Sequence, residues 1–284
     1  MRITNVASVR QLSPFRYPGG KTWLVPTARK WLSSIDKPKV LLDPFAGGGI
    51  ISLTAVEEEL VGKAILVERD PGIAAVWKTI AAGNGPRLGK KIESFNLTRQ
   101  NVKSELAKKP RSDFGLAFQT VLKNRVNRGG IMAPGAGLVK AGENGRGLKS
   151  RWYPQTLNKR FCAIHEYRGK LEAIEGDGLE EMRKQLRSKR TAMFIDPPYT
   201  VSSGKQSGSR LYLHSQVDHD KIFELAGRAR GSILMTYDNN PEVLDLAKQN
   251  GLDTEPMLMK NTHHKKMTEL LIGDNLDWFR SWQP

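Results

Sequence analysis

The feature that most constrains the fold is a short apolar run followed by a glycine-rich turn and a helical pattern. Residues 40–42 have the composition of a buried strand, and residues 50–60 have that of a helix. Between them stands the turn Asp43-Pro44-Phe45-Ala46-Gly47-Gly48-Gly49. Glycines let the backbone of such a turn approach a ligand closely, and the following helix presents its N-terminus to that ligand. This unit predicts a parallel α/β sheet with a nucleotide-binding turn.

A second strand pattern, residues 63–67, ends at Glu68. In such folds an acidic residue about 20 positions after the glycines accepts hydrogen bonds from ribose hydroxyls. The spacing therefore favours an adenosine-containing cofactor. A dinucleotide is less favoured, because Ser52 stands where its pattern needs a third glycine. Further strand patterns recur between helices near residues 173, 193, 234, 257 and 270. We therefore predict a doubly wound, mostly parallel seven-stranded α/β sheet of the Rossmann-like type, closed by a hairpin of the last two strands.

The fourth strand pattern, residues 191–195, leads into Asp196-Pro197-Pro198-Tyr199. The prolines end the strand because neither has an N–H to donate. Active sites of open parallel sheets lie at such strand ends, so a carboxylate and an aromatic ring at this point are typical of a catalytic rim. The alternative reading is a plain Pro-Pro turn.

The segment from Phe15 to Thr22 ends in Gly-Gly-Lys-Thr and invites comparison with a phosphate-binding loop. That loop requires G-x-x-x-x-G-K-[ST] after a strand, and Phe15 stands where its first glycine belongs. A nucleoside triphosphate site is therefore not expected. The segment instead predicts a loop that feeds a helix N-terminus, where backbone N–H groups and Lys21 are suited to receive a carboxylate.

Charge points to a polyanionic partner. Lys and Arg outnumber Asp and Glu by 45 to 29, which gives a net charge of +16, and such an excess favours nucleic acid. Positive charge and glycine concentrate in residues 86–168, with helical patterns at 100–108 and 114–126. We predict a discontinuous sheet domain, residues 1–85 and 169–284, interrupted by a target-recognition insertion, residues 86–168. A solvated basic surface is the alternative reading of the insertion.

Other classes of protein are disfavoured. The single cysteine, Cys162, cannot form an internal disulfide, and we interpret it as a buried or incidental thiol. No metal-ligand spacing is evident, since the pair His263-His264 lacks acidic or thiol partners and is interpreted as a basic hairpin tip. No apolar run approaches the roughly 20 residues that span a bilayer. We expect a cytoplasmic protein without a membrane partner, and a mobile Ser/Gly/Lys-rich loop at residues 201–210.

In combination, these motifs resemble the Dam-type (alpha-group) DNA adenine N6-methyltransferases. That family orders a Gly-Gly-Lys segment, an Asp-Pro-Phe-x-Gly-x-Gly turn, a target-recognition region and Asp-Pro-Pro-Tyr. This chain has the same order over residues 14–275: Tyr17-Pro18-Gly19-Gly20-Lys21, the turn at 43–49, the basic block and Asp196-Pro197-Pro198-Tyr199. Each glycine motif alone is weak evidence, but the combination is specific.

The resemblance implies S-adenosylmethionine as cofactor. Tyr17 and Lys21, with the turn at 43–49, are expected to hold its methionine part, Glu68 its ribose, and Asp177 to lie near its adenine. Asp177 has an alternative role as a cap of the next helix. The full set of expected cofactor residues is Tyr17, Gly19, Gly20, Lys21, Asp43, Pro44, Phe45, Ala46, Gly47, Gly49, Glu68, Asp177 and Asp196.

The resemblance also assigns the catalytic residues Asp196, Pro197, Pro198 and Tyr199. An exocyclic adenine amine is a poor nucleophile because its lone pair is delocalised into the ring. The Asp196 side chain and the Pro197 carbonyl can accept hydrogen bonds from both amine hydrogens, which leaves positioning and electrostatics as the source of catalysis, without metal. The base must be flipped out of the duplex, Tyr199 is placed to stack on it, and Pro198 fixes the angle between acid and ring.

The expected substrate is double-stranded DNA, bound by a monomer. In relatives that read GATC, an arginine follows the Asn-Arg pair, whereas alignment from Asn124-Arg125 puts Ala133 there, so GATC is not expected. A cognate restriction endonuclease is left open as a partner. RNA or cytosine-N4 methylation, and a DNA-binding regulator on a methyltransferase scaffold, remain alternatives. The candidate DNA-binding residues are Arg16, Lys123, Arg125, Asn127, Arg128 and Lys140.

Overall fold

The structure, a computed structural model, describes residues 8–16, 20–132, 136–142, 145–198, 217–260 and 266–282. Its strands form one sheet in the order β3-β2-β1-β4-β5-β7-β6. The first five strands of this order are parallel, and β7 is antiparallel to both β5 and β6. The predicted seven-stranded, mostly parallel sheet with a closing hairpin is therefore confirmed. The strands are β1 (Val40–Asp43), β2 (Lys63–Glu68), β3 (Leu171–Glu175), β4 (Thr191–Ile195), β5 (Ile233–Asp238), β6 (Asp253–Lys260) and β7 (Lys266–Gly273).

Helices cover both faces of the sheet, which explains why its central strands are apolar runs. Successive strand residues alternate between the faces: Leu41 joins one buried cluster and Leu42 the other. The helices are α1 (Val25–Ser34), α2 (Ile50–Glu57), α3 (Pro71–Thr79), α4 (Gly85–Ser94), α5 (Arg99–Ala107), α6 (Asp113–Val126), α7 (Pro154–His165), α8 (Gly178–Gln185), α9 (His219–Arg228), α10 (Pro241–Gln249) and α11 (Asp277–Arg280). Helices α1 to α3 pack on the Leu41 face, and α8 to α10 pack on the Leu42 face.

The predicted insertion contributes helices α4 to α7. These helices bury Leu88, Phe118 and Phe161 in the same hydrophobic cluster as Trp31 and Trp77 of the sheet domain. Two of them, α4 and α7, were not predicted. The signal for α7 is present in the sequence, because Pro154 occupies its first turn and the buried residues Leu157, Phe161 and Ile164 follow at helical spacing.

Two helix boundaries differ from the predicted ones for local reasons. Helix α2 ends at Glu57, three residues early, and Glu59 has a positive φ of 55° that a continuing helix cannot contain. Helix α10 begins at Pro241 because the Asn240 carboxamide oxygen accepts a hydrogen bond from the Val243 N–H at 2.9 Å. Neither difference moves a residue of the candidate site.

Some expectations fall outside the described residues, namely Tyr17, Gly19, Ala133, Tyr199, the loop 201–210 and the pair His263-His264. Within the described residues, Cys162 is exposed, so of its two interpretations the buried thiol is wrong and the incidental thiol remains. None of the helices in the described ranges is long and apolar enough to cross a membrane. No group of three His, Cys, Asp or Glu side chains in the same ranges is placed to hold a metal ion.

Candidate active site at the strand-order switch point

The carboxyl ends of β1, β2 and β4 bring three predicted acidic residues to one edge of the sheet. Asp43 is the last residue of β1, Glu68 is the last of β2, and Asp196 directly follows β4. Because β1 lies between β2 and β4, these strand ends are neighbours. The strand order reverses between β1 and β4, and open α/β sheets bind ligands in the crevice at such a switch point. The glycine turn and Asp196 therefore share one crevice.

The glycine turn is held by the side chain of Trp77. The indole Nε1 donates a hydrogen bond to the Gly47 carbonyl at 3.1 Å. Gly49 has a φ of 62°, and a Cβ built there would lie 2.8 Å from the Trp77 ring, so only glycine fits. The Ala46 N–H donates to the Val67 carbonyl at 3.0 Å and ties the turn to β2. Trp77 is buried in the core and at the same time shapes the turn.

Glu68 reaches across from β2 to the same turn. Its Oε2 accepts a hydrogen bond from the Gly47 N–H at 3.0 Å, and its Oε1 accepts one from the Asp70 N–H at 2.9 Å. Burial nevertheless raises the pKa of Glu68 to about 7. Each carboxylate oxygen can accept more than one hydrogen bond, so this geometry leaves capacity for hydroxyl donors of a ligand.

Asp43 is a buried carboxyl group at the start of the turn. Its Oδ2 accepts a hydrogen bond from the Ser52 hydroxyl at 2.7 Å. Its Oδ1 is buried and has no well-formed hydrogen bond among the described residues. The nearby Phe45 N–H lowers the pKa of Asp43, but this effect is smaller than that of burial. Burial raises the pKa of Asp43 to about 7. Ser52, noted in the sequence only as a missing glycine, therefore has a positive role as the donor to Asp43.

The raised pKa of Asp43 predicts how its replacement affects stability. Above pH 7 the folded protein must keep an ionised carboxylate buried, whereas below pH 4 the carboxyl is neutral in both the folded and unfolded chain. We expect Asp43→Asn to raise the free energy of unfolding by about 1–3 kcal/mol at pH 8, and this gain to shrink progressively between pH 7 and pH 4. Urea unfolding at several pH values measures it. The exposed Asp36→Asn is the control and should give no pH-dependent difference; an equal gain for Asp43→Asn at pH 8 and pH 4 would contradict the assignment.

Lys21 faces the predicted catalytic carboxylate. Its side chain is only 6% exposed, and its Nζ lies 3.2 Å from Asp196 Oδ1 and 3.2 Å from Glu269 Oε2. Burial by itself lowers the pKa of Lys21, but the two carboxylates outweigh it and the net pKa is raised. The structure thus brings Lys21, expected at the methionine part of a cofactor, into contact with Asp196 as well.

Sequence reasoning missed two residues around Asp196. Thr236 of β5 donates its hydroxyl to Asp196 Oδ1 at 2.9 Å. Glu269 of β7 is buried, and burial raises its pKa to about 7. Strand pairing brings both residues to this edge. Strand β5, which carries Thr236, lies beside β4, and β7 pairs with β5 so that Glu269 lies opposite Asp238. No local motif signals their proximity to Asp196.

Of the remaining predicted residues, those that the structure describes follow or precede the elements around this crevice. Gly20 precedes the 3₁₀ turn Lys21–Leu24, and Pro197 and Pro198 follow Asp196 outside the strand. Asp177 follows β3 and accepts a hydrogen bond from the Leu179 N–H at 2.8 Å, so it caps α8. The cap does not exclude a contact with a ligand, because a carboxylate has further acceptor sites.

A buried clamp joins the insertion to the segment before Lys21. The Asn124 carboxamide oxygen accepts from the Arg16 N–H at 2.9 Å, and its nitrogen donates to the Arg16 carbonyl at 2.9 Å and the Gly130 carbonyl at 3.1 Å. Arg160 adds a hydrogen bond to the Ser13 carbonyl at 2.6 Å. The loop after α6 is therefore attached to the segment that precedes Lys21.

The candidate DNA-binding residues divide by burial. Arg125 and Asn127 are buried: the Arg125 guanidinium donates to the Pro14 carbonyl, and Asn127 donates to the Ile131 carbonyl at 2.8 Å. Burial lowers the pKa of Arg125 to about 10. These two side chains hold the loop, so direct DNA contact is not proposed for them. Arg128 and Lys140 are exposed, and Arg16 and Lys123 are partly exposed.

The Asn124 clamp should contribute strongly to stability. Asn124→Ala leaves the Arg16 N–H, the Arg16 carbonyl and the Gly130 carbonyl without this partner in a buried place. We expect the free energy of unfolding to fall by about 2–4 kcal/mol, which urea unfolding measures. Asn101→Ala is the matched control, because its carboxamide donates to the Asn96 carbonyl at the surface, and it should cost less than about 1 kcal/mol. Equal losses for the two variants would contradict the clamp.

Comparisons with known proteins give distant structural similarity. No family model and no curated protein matches the chain. A Pyrococcus horikoshii protein, PH1948, provisionally assigned as an RNA methyltransferase, is 12% identical with a TM-score of 0.39, covering 96% of this chain and 91% of its own. Precorrin-6y C5,15-methyltransferase from Geobacter metallireducens GS-15 is 11% identical with a TM-score of 0.41, covering 95% and 97%. A SAM dependent methyltransferase from Agrobacterium tumefaciens is 9% identical with a TM-score of 0.40, covering 87% and 59%. Similarity this distant carries no argument about activity.

Proposed function

We propose that the chain is an S-adenosylmethionine-dependent methyltransferase that modifies the N6 amine of a flipped-out adenine in duplex DNA. The observation that carries the proposal is the cluster of three carboxyl groups beside a glycine turn, the buried Asp43 and the partly exposed Glu68 and Asp196, in a protein whose net charge is +16. Carboxyl groups at the switch point attract a small cationic ligand, whereas the excess of Lys and Arg over the rest of the protein attracts a polyanion. S-adenosylmethionine is such a cation, and nucleic acid is such a polyanion.

The residues present fit this cofactor. Asp43 Oδ1 is a buried acceptor without a well-formed hydrogen bond among the described residues, which suits a donor of the methionine part. Glu68 has acceptor capacity for the ribose hydroxyls, and Asp177 lies at the neighbouring strand end for the adenine. Gly20 and Lys21 border the crevice from the other side. When bound, S-adenosylmethionine supplies a methyl group on a positively charged sulfur.

Asp196 is proposed to orient the amine that receives the methyl group. Its Oδ1 is engaged by Thr236 and Lys21, which fixes the plane of the carboxyl group. Together with the Pro197 carbonyl it would accept hydrogen bonds from the two amine hydrogens and turn the nitrogen lone pair toward the methyl donor. This role requires positioning and electrostatics and no covalent intermediate with the protein.

Duplex DNA and adenine are proposed from the motif order, which is that of the Dam-type group. Tyr199 would stack on the flipped base, a role its place after Pro198 allows. The basic side chains Arg16, Lys123, Arg128 and Lys140 would contact phosphates or base edges of the duplex. Arginine can read guanine O6 and N7 by a bidentate contact, so Arg16 and Arg128 are the candidates for base reading.

Methyl transfer from tritiated S-adenosylmethionine tests the proposal. Purified protein is incubated with long duplex DNA of mixed sequence, and separately with RNA of mixed sequence. We expect label in the DNA, recovered after hydrolysis as N6-methyladenine. Label in RNA alone, or label recovered as N4-methylcytosine, would overturn the adenine assignment. DNA binding without any transfer would instead favour a regulator on this scaffold.

A further inference from the structure

Glu269 has no role in the motifs from which the function is proposed, yet it lies beside the predicted catalytic carboxylate. It belongs to β7, the antiparallel strand next to β5, and its register partner is Asp238 at the end of β5. Its side chain is 11% exposed, and its Oε2 accepts a hydrogen bond from the Lys21 ammonium at 3.2 Å. A buried carboxyl group in the sheet is costly unless it is paired, so this placement requires an explanation.

The same ammonium reaches Asp196. Lys21 Nζ lies 3.2 Å from Asp196 Oδ1, and the Thr236 hydroxyl donates to that oxygen at 2.9 Å. Asp196 Oδ1 therefore contacts two donors on different elements: Thr236 on the neighbouring strand β5, and Lys21 in the turn before α1. A lysine side chain is long and rotatable, and its ammonium is a point charge without preferred orientation. Two carboxylate partners, one after β4 and one on β7, define the position of this ammonium where one partner would not.

We propose that Glu269 is a positioning residue for methyl transfer: it holds the Lys21 ammonium against Asp196, so that the carboxylate keeps the orientation in which it receives the substrate amine. The inference rests on the proposed function. Glu269 touches neither the reacting amine nor the methyl group and acts through Lys21. The proposal gives β7 a role in the active site, although none of the sequence motifs lies on this strand.

Charge around Glu269 decides when this contact is present. The titratable groups that face it are Lys21, Asp196 and Asp238, and Lys21 is the cation that favours the ionised form. Asp196 and Asp238 favour the neutral form, as does burial. A neutral Glu269 holds the ammonium more weakly, because the hydrogen bond is no longer charge-assisted. The positioning effect should therefore be strong above pH 7 and weak below it.

Single-turnover methyl transfer with saturating cofactor tests the role, because cofactor binding by Asp43 and Glu68 then does not limit the rate. With tritiated S-adenosylmethionine and mixed-sequence duplex DNA at pH 8, we expect Glu269→Ala to slow transfer roughly 10–100-fold and Glu269→Gln roughly 3–10-fold. Calorimetric affinity for the cofactor should fall by a smaller factor than the rate, since Lys21 also borders the cofactor crevice whereas the loss of Asp196 orientation affects only the transfer step. The ratio of wild-type to Glu269→Gln rates should fall toward one as the pH drops below 7.

Glu172→Gln is the matched control. Glu172 also pairs with a lysine across neighbouring strands, Lys63 at 2.7 Å, but this pair is exposed at the opposite edge of the sheet. It should transfer at the wild-type rate at every pH. A rate ratio for Glu269→Gln that does not change with pH would indicate a merely structural role and overturn the proposal, as would wild-type rates for both Glu269 variants.

A measurement without turnover separates this inference from the proposed function. In protein labelled at lysine ¹³Cε, NMR titration reports the pKa of Lys21, which should fall in Glu269→Gln because one of its two carboxylate partners loses its charge. An unchanged Lys21 titration would overturn the contact whatever the activity. A wild-type protein that methylates neither DNA nor RNA would overturn the proposed function and the positioning role with it, while leaving the contact measurable.

Discussion

Asp196→Asn is expected to lower the rate of methyl transfer at least about 1000-fold, which corresponds to a loss of about 4 kcal/mol of transition-state stabilisation. The reason lies in the fixed donors around Asp196 Oδ1. Thr236 and Lys21 both donate to this oxygen, so an asparagine must place its carboxamide oxygen there. Its NH₂ group then takes the place of Oδ2. Because this group is a hydrogen-bond donor, it cannot accept a hydrogen bond from the substrate amine. The variant would retain the shape of the site and lose its ability to accept.

Transfer and binding should separate in this variant. Tritium transfer into duplex DNA gives the rate, and calorimetry gives the affinities for cofactor and DNA, which should change less than about tenfold because most of the proposed contacts remain. Asp245→Asn, an exposed carboxylate on α10, is the control and should transfer normally. If Asp196→Asn retained more than a tenth of the wild-type rate, Asp196 would not be the acceptor of the amine hydrogens.

Gly178→Ala is expected to disrupt both folding and cofactor binding. A Cβ built on Gly178 would lie 2.2 Å from the Pro44 carbonyl oxygen and 2.9 Å from the Pro44 Cβ. Both atoms belong to a rigid residue of the turn after β1, so the turn or the start of α8 must move. We expect the free energy of unfolding to fall by about 2–4 kcal/mol. Because the displaced turn leads to Gly47 and Gly49, cofactor affinity should also fall, by about tenfold or more.

Gly176→Ala is the control from the same β3–α8 connection. A Cβ there would meet only the Ile174 Cγ2 at 3.5 Å, an ordinary contact. Such a replacement should change the free energy of unfolding by less than about 1 kcal/mol. Urea unfolding and calorimetric titration of the cofactor measure the two effects. Similar behaviour of the two variants would mean that the close approach of Gly178 to Pro44 is not needed for either property.

The seven strands could be predicted from the sequence because each is a local pattern. In central strands such as β4 the pattern is an apolar run between turn residues, which indicates burial on both faces, and the order of strands and helices along the chain leaves few topologies. The positions of Asp43, Glu68 and Asp196 follow from the same rule, since the carboxyl ends of neighbouring parallel strands meet at one edge. Helices α4 and α7 were missed although their residues carry helical spacing, because the basic and glycine-rich composition of the insertion outweighed it.

The burial of individual basic residues could not be predicted in this way. Arg125 and Arg128 are three residues apart and have the same chemistry, yet Arg125 is buried on the Pro14 carbonyl and Arg128 is exposed. Side-chain charge alone does not distinguish a guanidinium that holds a loop from one that meets a phosphate. The difference comes from the segment around residues 13–16, which is distant in sequence and packs against the end of α6.

The sequence by itself determined the seven-stranded sheet and the strand-end positions of the three carboxyl groups, because these depend on patterns within single strands and turns. The strand order, and with it the switch point between β1 and β4, did not follow from those patterns. Only the tertiary structure decided that Lys21 lies between Asp196 and Glu269, and that Thr236 and Ser52 donate to the two aspartates. Residues 21 and 269 come together through the pairing register of β5 with β7 and the placement of the first turn on the sheet edge. Such contacts depend on the packing of many segments at once, which no local pattern encodes.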